Sequence, residues 1–402
     1  MDPVVLLVFL FVYAGMIAGG IPHLALDRTG VALLGAIALL AFGKVSPDAA
    51  RDAVDVSTIA LLFGLMVVSA QFRLGGFYTR LTARLAAASA GPAALLGMLI
   101  AVAGVLSAVL ANDIVCLAMA PILAAGCARR GLDPVPFLLG LACASNVGSA
   151  ATLIGNPQNM LIGQTLHMSF SGYLLDALVP SLLGLAATWG VLLLLYRGRF
   201  RREMTVPEPE APRFSAWQTG KGAVVTGVLM ALFIAVPWPR EVLALCAAGV
   251  LLLSRRMASR RMLALVDWQL LVLFVALFVV NSALAASGML QAGMEAMTRA
   301  GVDPREPAAL FGSVVVLSNL VSNVPATMLL LPAAVHPQAG AILALASTLA
   351  GNLIIVGSIA NIIVVDQAGR LGVRISWAAH ARVGVPVTLS TLAIAALWLA
   401  LV

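Results

Sequence analysis

The chain of 402 residues is 61% hydrophobic and 10% charged, with a mean hydropathy of +1.04. A soluble globular protein carries about 25% charged residues, so the composition excludes one and describes an all-α polytopic membrane protein. The net charge of +7 does not mark a nucleic-acid binder, because the basic residues sit in short loops between apolar runs, the positive-inside pattern.

The first apolar run, Val4–Ile21, lacks a basic segment before it and is long enough to span, so it reads as a span and not as a cleaved signal. A short second span is expected over Val31–Phe42, then a polar turn from Lys44 to Asp55 and a third span over Val56–Gln71. Phe72–Ala90 carries Arg73, Arg80 and Arg84 among Leu, Phe and Tyr, the pattern of an interfacial amphipathic helix. Two apolar arms follow, joined only by Ala111-Asn112-Asp113. Complete spans are normally joined by polar, turn-rich loops, so residues 92–127 read as a re-entrant hairpin whose tip stops inside the membrane.

Residues 137–167 are too long for one straight span. Gly155-Asn156-Pro157-Gln158-Asn159 breaks them. Pro157 lacks a backbone donor, and Gly155 and Asn156 tolerate angles that other residues avoid. Backbone freed at membrane depth must be buried in protein or line a polar cavity, and broken helices of this kind bind substrate in secondary transporters. Tyr173–Tyr196 closes the first half. Residues 197–218, which open with Arg197, Arg199, Arg201 and Arg202 and continue into a Pro-Glu run, read as a solvated linker.

The second half repeats the order. Spans are expected over Gly222–Val236, Val242–Leu253 and Trp268–Ala286, then an interfacial stretch, Gly288–Glu306. A hairpin over 307–335 is tipped by Ser322-Asn323-Val324, a broken helix covers 339–365, and Val383–Leu401 is the last span. Gly357-Ser358-Ile359-Ala360-Asn361 stands where Gly155–Asn159 stands in the first half, at the same offset that relates Leu343–Ser347 to Leu141–Ser145. Val105–Asn112 recurs as Val316–Asn323 at an offset nine residues longer. The domains are therefore 1–196 and 219–402, each with five spans counting the broken helix, plus one hairpin. Five is odd, so the two repeats are inverted. This topology puts nineteen of the 24 Lys and Arg residues on one face. That face is cytoplasmic, which makes linker 197–217 cytoplasmic and both termini external, in the cytoplasmic (inner) membrane.

Asp113 is the acidic residue placed deep in the membrane, where an ionised carboxylate costs at least about 2.5 kcal/mol and is functional by default. Asn112 and Asn323 can offer amides to an ion or cap the hairpin arms. Asp55 and Asp267 begin the third spans as caps, and the four histidines fall at span ends. The cysteines Cys116, Cys127, Cys143 and Cys246 have no metal-ligand spacing. Nothing in the sequence assembles a nucleophile with a base, so an enzyme is not expected.

The tip and break motifs resemble the ion transporter superfamily of arsenite permeases, divalent-anion/sodium symporters, citrate transporters and a family of sodium/proton antiporters. Gly-Asn-Pro-Gln-Asn is most similar to the arsenite-permease-related branch. The resemblance implies two inverted repeats with opposed hairpins, a homodimer, and a transport domain that moves as an elevator against a scaffold. It implies secondary active transport of a small anion or oxyacid, with a sodium/proton antiporter as the alternative. The candidate substrate and ion site is Asn112, Asp113, Gly155, Asn156, Pro157, Asn159, Ser322, Asn323, Gly357, Ser358 and Asn361, with H+ or Na+ as the coupling ion and no other cofactor. The dicarboxylate symporters carry Ser-Asn-Thr at both tips, where this chain has Ala-Asn-Asp and Ser-Asn-Val. That departure counts against sodium near Asn112 and Asn323 and leaves Asp113 as a proton carrier.

Overall fold

The computed structural model describes residues 2–21, 24–209 and 212–402. Met1, Pro22, His23 and the linker residues Glu210 and Ala211 lie outside the described residues. The chain opens with helix α1, Pro3–Ala18, whose first turn is capped by the Asp2 carboxylate accepting from the Val4 N–H at 2.9 Å. A small antiparallel ribbon follows, β1 Gly20–Ile21 with β2 Leu26–Asp27. Then come α2 Arg28–Ala41, α3 Pro47–Ala53, α4 Val56–Leu74, α5 Phe77–Ala86, α6 Pro92–Val109, α7 Asn112–Arg129, α8 Pro134–Ser149, α9 Pro157–Thr165 and α10 Phe170–Leu195.

The second half has α11 Ala216–Ala235, α12 Arg240–Leu252, α13 Ser259–Leu263, α14 Trp268–Ala286, α15 Met289–Arg299, α16 Pro307–Val321, α17 Asn323–Leu330, α18 Ala339–Ala350, α19 Ile359–Arg370 and α20 Trp377–Leu401. The helices correspond one for one, α1 with α11 through α10 with α20. Their contacts exchange in the same way. α2 packs on α14 as α12 packs on α4, α7 packs on α19 as α17 packs on α9, and α10 packs on its own counterpart α20.

Seven of these helices (α4, α6, α7, α10, α11, α14 and α20) are long and apolar enough to cross a membrane. α1, with 16 residues, is about 24 Å long and needs a thin or locally compressed bilayer. Leu175 and Leu194 on α10 are 73% and 77% exposed, as expected of a surface that meets lipid. At the other extreme every residue of α8 and of α18 is buried. Protein surrounds these two helices on every side, so they carry no charged residue and few polar ones.

Several expectations need correction. The polar turn after α2 contains α3, started by Ser46 accepting from the Ala49 N–H at 3.1 Å with Pro47 behind it. The interfacial stretch begins later than Phe72, because α4 runs on to Leu74 and Gly76, at φ 69°, turns the chain into α5. Its face of Tyr78, Thr82 and Ala86 is buried, and α5 packs on α7. The linker is not simply solvated. Leu132 bridges Arg201, the Asp133 N–H donates to the Phe200 carbonyl at 2.9 Å, and Arg80 lies 4.4 Å from the ring centre of Phe214. Periodicity in a Pro- and Arg-rich stretch carries no signal for such backbone pairing. Asp55 and Asp267 are the caps expected, accepting from Thr58 and Leu270 N–H groups at 2.9 Å.

Candidate functional site

The first broken helix is interrupted over residues 150–156, and the second over 351–358. Pro157 is thus the first residue of α9, not a kink within a longer helix. Its missing N–H costs nothing there, and its fixed φ suits a helix start. Asn156 caps the same helix, its Oδ1 accepting from the Asn159 N–H at 2.9 Å. Ser358 does this for α19, accepting from the Ala360 N–H at 3.2 Å. Gly155 has no room for a side chain, because a Cβ there would strike the Ser149 backbone. Gly357 lies in a single 3-10 turn before Ser358.

Each hairpin tip packs against a break. The Asn112 N–H donates to the Gly155 carbonyl at 3.3 Å. The Asn323 amide, oriented to suit its neighbours, donates to the Ser347 carbonyl at 3.0 Å and the Gly357 carbonyl at 3.2 Å. Ser322 before it holds φ at 78°, an uncommon backbone for a residue with a side chain. Between the tips and the breaks lies a cavity of about 20 Å³, lined by Asn112, Asp113, Asn146, Asn156, Pro157, Gln158, Ser322, Asn323, Val324, Ser358 and Ile359. It has room for about one water molecule.

Seven of the eleven sequence-selected residues therefore line one space. Asn361 and Asn159 stand just behind it, with Gly155 and Gly357 shaping its backbone. Asn361 donates to the Gly351 carbonyl at 2.8 Å and Asn159 to the Thr152 carbonyl at 3.0 Å, so both hold the broken backbone closed. Gly155, Gly357, Asn159 and Asn361 are not among the residues lining the cavity.

Sequence reasoning passed over two residues that organise the site. Asn146, on α8, accepts from Ser358 Oγ at 2.8 Å and from Asn112 Nδ2 at 3.3 Å. Its own amide donates to Asn352 Oδ1 at 2.8 Å and Asn361 Oδ1 at 3.3 Å. Thr348, on α18, accepts from Asn156 Nδ2 at 3.2 Å and Gln158 Nε2 at 3.0 Å, and donates to Asn159 Oδ1 at 3.2 Å. Each half thus supplies the side chain that organises the other half's break. The two residues are equivalent in the repeat, directly after Ser145 and Ser347, and that position was the available signal.

The electrostatics follow from the backbone. α7, α9, α17 and α19 all begin at the cavity, so four helix N-termini converge on it, each with unsatisfied N–H groups and roughly half a positive charge. Asp113, in the first turn of α7, is the one carboxylate lining the cavity, and it accepts no hydrogen bond from the described residues. The Oδ1 of Asn112 is buried without a partner. Asp113 and Pro157 also line a second cavity of about 190 Å³ that reaches Arg73 and Asp267. Ser322, Val324 and Ile359 line a third, of about 440 Å³, that reaches Arg28 and Asp267. A fourth cavity, about 880 Å³ between Asp55, His167 and Arg240, shares no lining residue with the central one. The two cavities that share lining residues with the central space both reach Asp267.

Comparison with known proteins places this architecture. The citrate transporter family matches residues 5–350. The silicon efflux transporter LSI3 of Oryza sativa subsp. japonica is 28% identical over 451 residues, covering 93% of this chain and 92% of that protein. A 46 kDa membrane protein of Mycobacterium leprae is 27% identical and covers 99% of this chain and 98% of its own length. Among solved structures, the YdaH transporter of Alcanivorax borkumensis superposes with a TM-score of 0.56 at 15% identity, covering 98% of this chain and 96% of that one. That last likeness concerns the fold.

Proposed function

Since the chain belongs to the citrate transporter family, and is therefore an integral-membrane secondary transporter and not an enzyme, we propose that it carries a small anion or oxyacid through the space between the two hairpin tips. One observation carries this reading: four helix N-termini meet at a cavity lined by amides, hydroxyls and a single carboxylate, with Pro157, Val324 and Ile359 as its apolar wall. Helix N-termini attract anions. Citrate in the family's description and silicon in the rice relative's name support a class that runs from carboxylates to oxyacids.

Asp113 is the coupling group in this proposal. Ionised, it offsets about half of the convergent positive charge. Protonated, it leaves that charge free for an incoming anion, so proton and anion travel together. The cavity as it stands is too small for either class of solute, so loading requires one tip to withdraw. The hairpins and broken helices, α6–α9 and α16–α19, then move as a body against the frame of α1, α2, α4, α11, α12 and α14. Repeats of opposite orientation, with the linker in the cytoplasm and the termini outside, give that body two equivalent end positions. A homodimer of frames, as the family resemblance implies, would hold the frame still.

The test is uptake and efflux in sealed vesicles across a panel of carboxylates and oxyanions, with and without a sodium or pH gradient. Uptake of an anion driven by a pH gradient supports the proposal. Movement of sodium against protons with no anion dependence would replace it with an antiporter.

A further inference from the structure

Two corners of the frame are built alike, and one of them is engaged. α12 opens with Arg240 and Glu241. The Arg240 guanidinium donates to the Gly163 carbonyl at 2.6 Å, and Glu241 accepts from Gln164 Nε2 at 3.0 Å and from Ser57 Oγ at 3.3 Å. Carbonyls in the last turn of a helix are unsatisfied and form the negative end of its dipole, so a guanidinium is a fitting partner. These bonds pin the end of α9 to α12.

α2, the counterpart of α12, also opens with an arginine, Arg28. Thr29 beside it donates to the Gln269 carbonyl of α14 at 3.4 Å, matching the Ser57–Glu241 contact between α4 and α12. Yet among the described residues Arg28 grips nothing. Its Nε is buried without a partner, and its side chain makes no hydrogen bond or ion pair among the described residues. It faces the 440 Å³ cavity together with Ile359 and Ile362 of α19. Asp366 follows Ile362 by one turn, on the same face of α19. It is the repeat equivalent of Gln164. Here it is exposed and bonded along its own helix, to Arg370 at 2.9 Å and Gln367 at 3.1 Å. An exposed pair of this kind is held only weakly, so Asp366 is easily released.

We propose that Arg28 and Asp366 form a second latch, which closes when the Arg240–Gly163 and Glu241–Gln164 latch opens. The inference rests on the alternating movement proposed above and adds the residues that hold its two end positions. The ends of α9 and α19 lie at opposite ends of the moving body, so a slide that seats one carries the other away. In this structure the α9 latch is closed and the α19 latch is open.

The experiment uses the full chain in sealed membrane vesicles, with the exposed Cys246 replaced by serine. One variant carries Gln164→Cys with Glu241→Cys, another Arg28→Cys with Asp366→Cys, and a third all four. Copper-phenanthroline is expected to close each pair alone, while closing the first pair in the four-cysteine variant lowers closure of the second at least tenfold. A second pair that never closes, or that closes in the same molecules as the first, overturns the latch. A separate readout tests the movement. Val324→Cys, which lines both the central cavity and the 440 Å³ cavity, should take an impermeant maleimide from one side with the first pair locked and from the other with the second. Labelling from one side in both locks overturns the alternating movement itself. As a check on folding, Arg28→Asp combined with Asp366→Arg should recover the second conformation that Arg28→Asp alone loses; no recovery counts against the pairing.

Discussion

The side-chain amide of Asn146 donates to the amide oxygen of Asn352 at 2.8 Å, joining a helix of the first half to the interrupted backbone of the second. All four polar contacts of Asn146 lie within a buried region, so removing its amide orphans Asn352, Asn361 and Ser358 together. An unsatisfied buried group costs about 1–3 kcal/mol. Asn146→Ala is expected to lower the melting temperature of the solubilised protein and abolish transport. Asn146→Asp restores two acceptors but no donor and should rescue neither. Transport at the native level by Asn146→Ala would contradict the assignment.

Asn112 differs, because its Oδ1 has no partner in the closed site and is free to meet cargo. Asn112→Ala should therefore weaken substrate affinity by roughly five- to a hundredfold, the equivalent of about 1–3 kcal/mol, and change the melting temperature little. Asn323→Ala should also weaken affinity, and it should lower the melting temperature as well, because it takes the donor away from the Ser347 and Gly357 carbonyls. Measurement of the transport KM decides: an unaltered KM in the double variant removes both residues from the binding site.

Asp113→Asn keeps the shape of the tip and removes the proton carrier. Accumulation driven by a pH gradient should disappear. Exchange of labelled for unlabelled substrate, which needs no proton release, should persist in part. A variant that still concentrates substrate under a pH gradient would show that the proton travels elsewhere. Loss of exchange as well would make Asp113 a direct ligand.

Gly148 tests packing apart from binding. A Cβ there would strike the backbone of Gly104 at the contact between α6 and α8, and rigid backbone cannot move aside as a side-chain tip would. Gly148→Ala should destabilise the protein by about 1–3 kcal/mol, read as a lower melting temperature. Gly190→Ala, with open space around it, should leave stability within about 0.5 kcal/mol.

Orientation is tested with single cysteines at Arg202 and at Asp48, whose side chain is 82% exposed. The skew of basic residues predicts the first in the cytoplasm and the second outside. An impermeant maleimide added to intact cells should reach Asp48→Cys and miss Arg202→Cys, with the reverse in inverted vesicles. Labelling of both from one side would undo the topology.

The two breaks and the two tips were legible in the sequence because glycine, proline and asparagine are out of place in an apolar run, and because they recur in order. Their convergence was legible too, since backbone freed in a membrane has few places to go. Asn146 and Thr348 were harder to see. Each lies within or beside a helix of small apolar residues, and only partners more than 180 residues away reveal what they do. The docking of the linker on Leu132, Asp133 and Gly131 was invisible for a related reason. Arg201 and Arg202 are held there through their backbones, and backbone pairing between distant segments leaves no mark on residue type.

The crossing of Asn146 and Thr348 into each other's half bears on how such a chain could have arisen. A single repeat on its own would present Asn146 with no Ser358 or Asn361 to bind, and a broken helix with nothing to close it. A half-length forebear could have had a finished binding space only where two copies met head to tail in the bilayer. Fusion of two such copies would make that encounter permanent and would free each to carry its own residue there, as this chain carries asparagine in one half and threonine in the other.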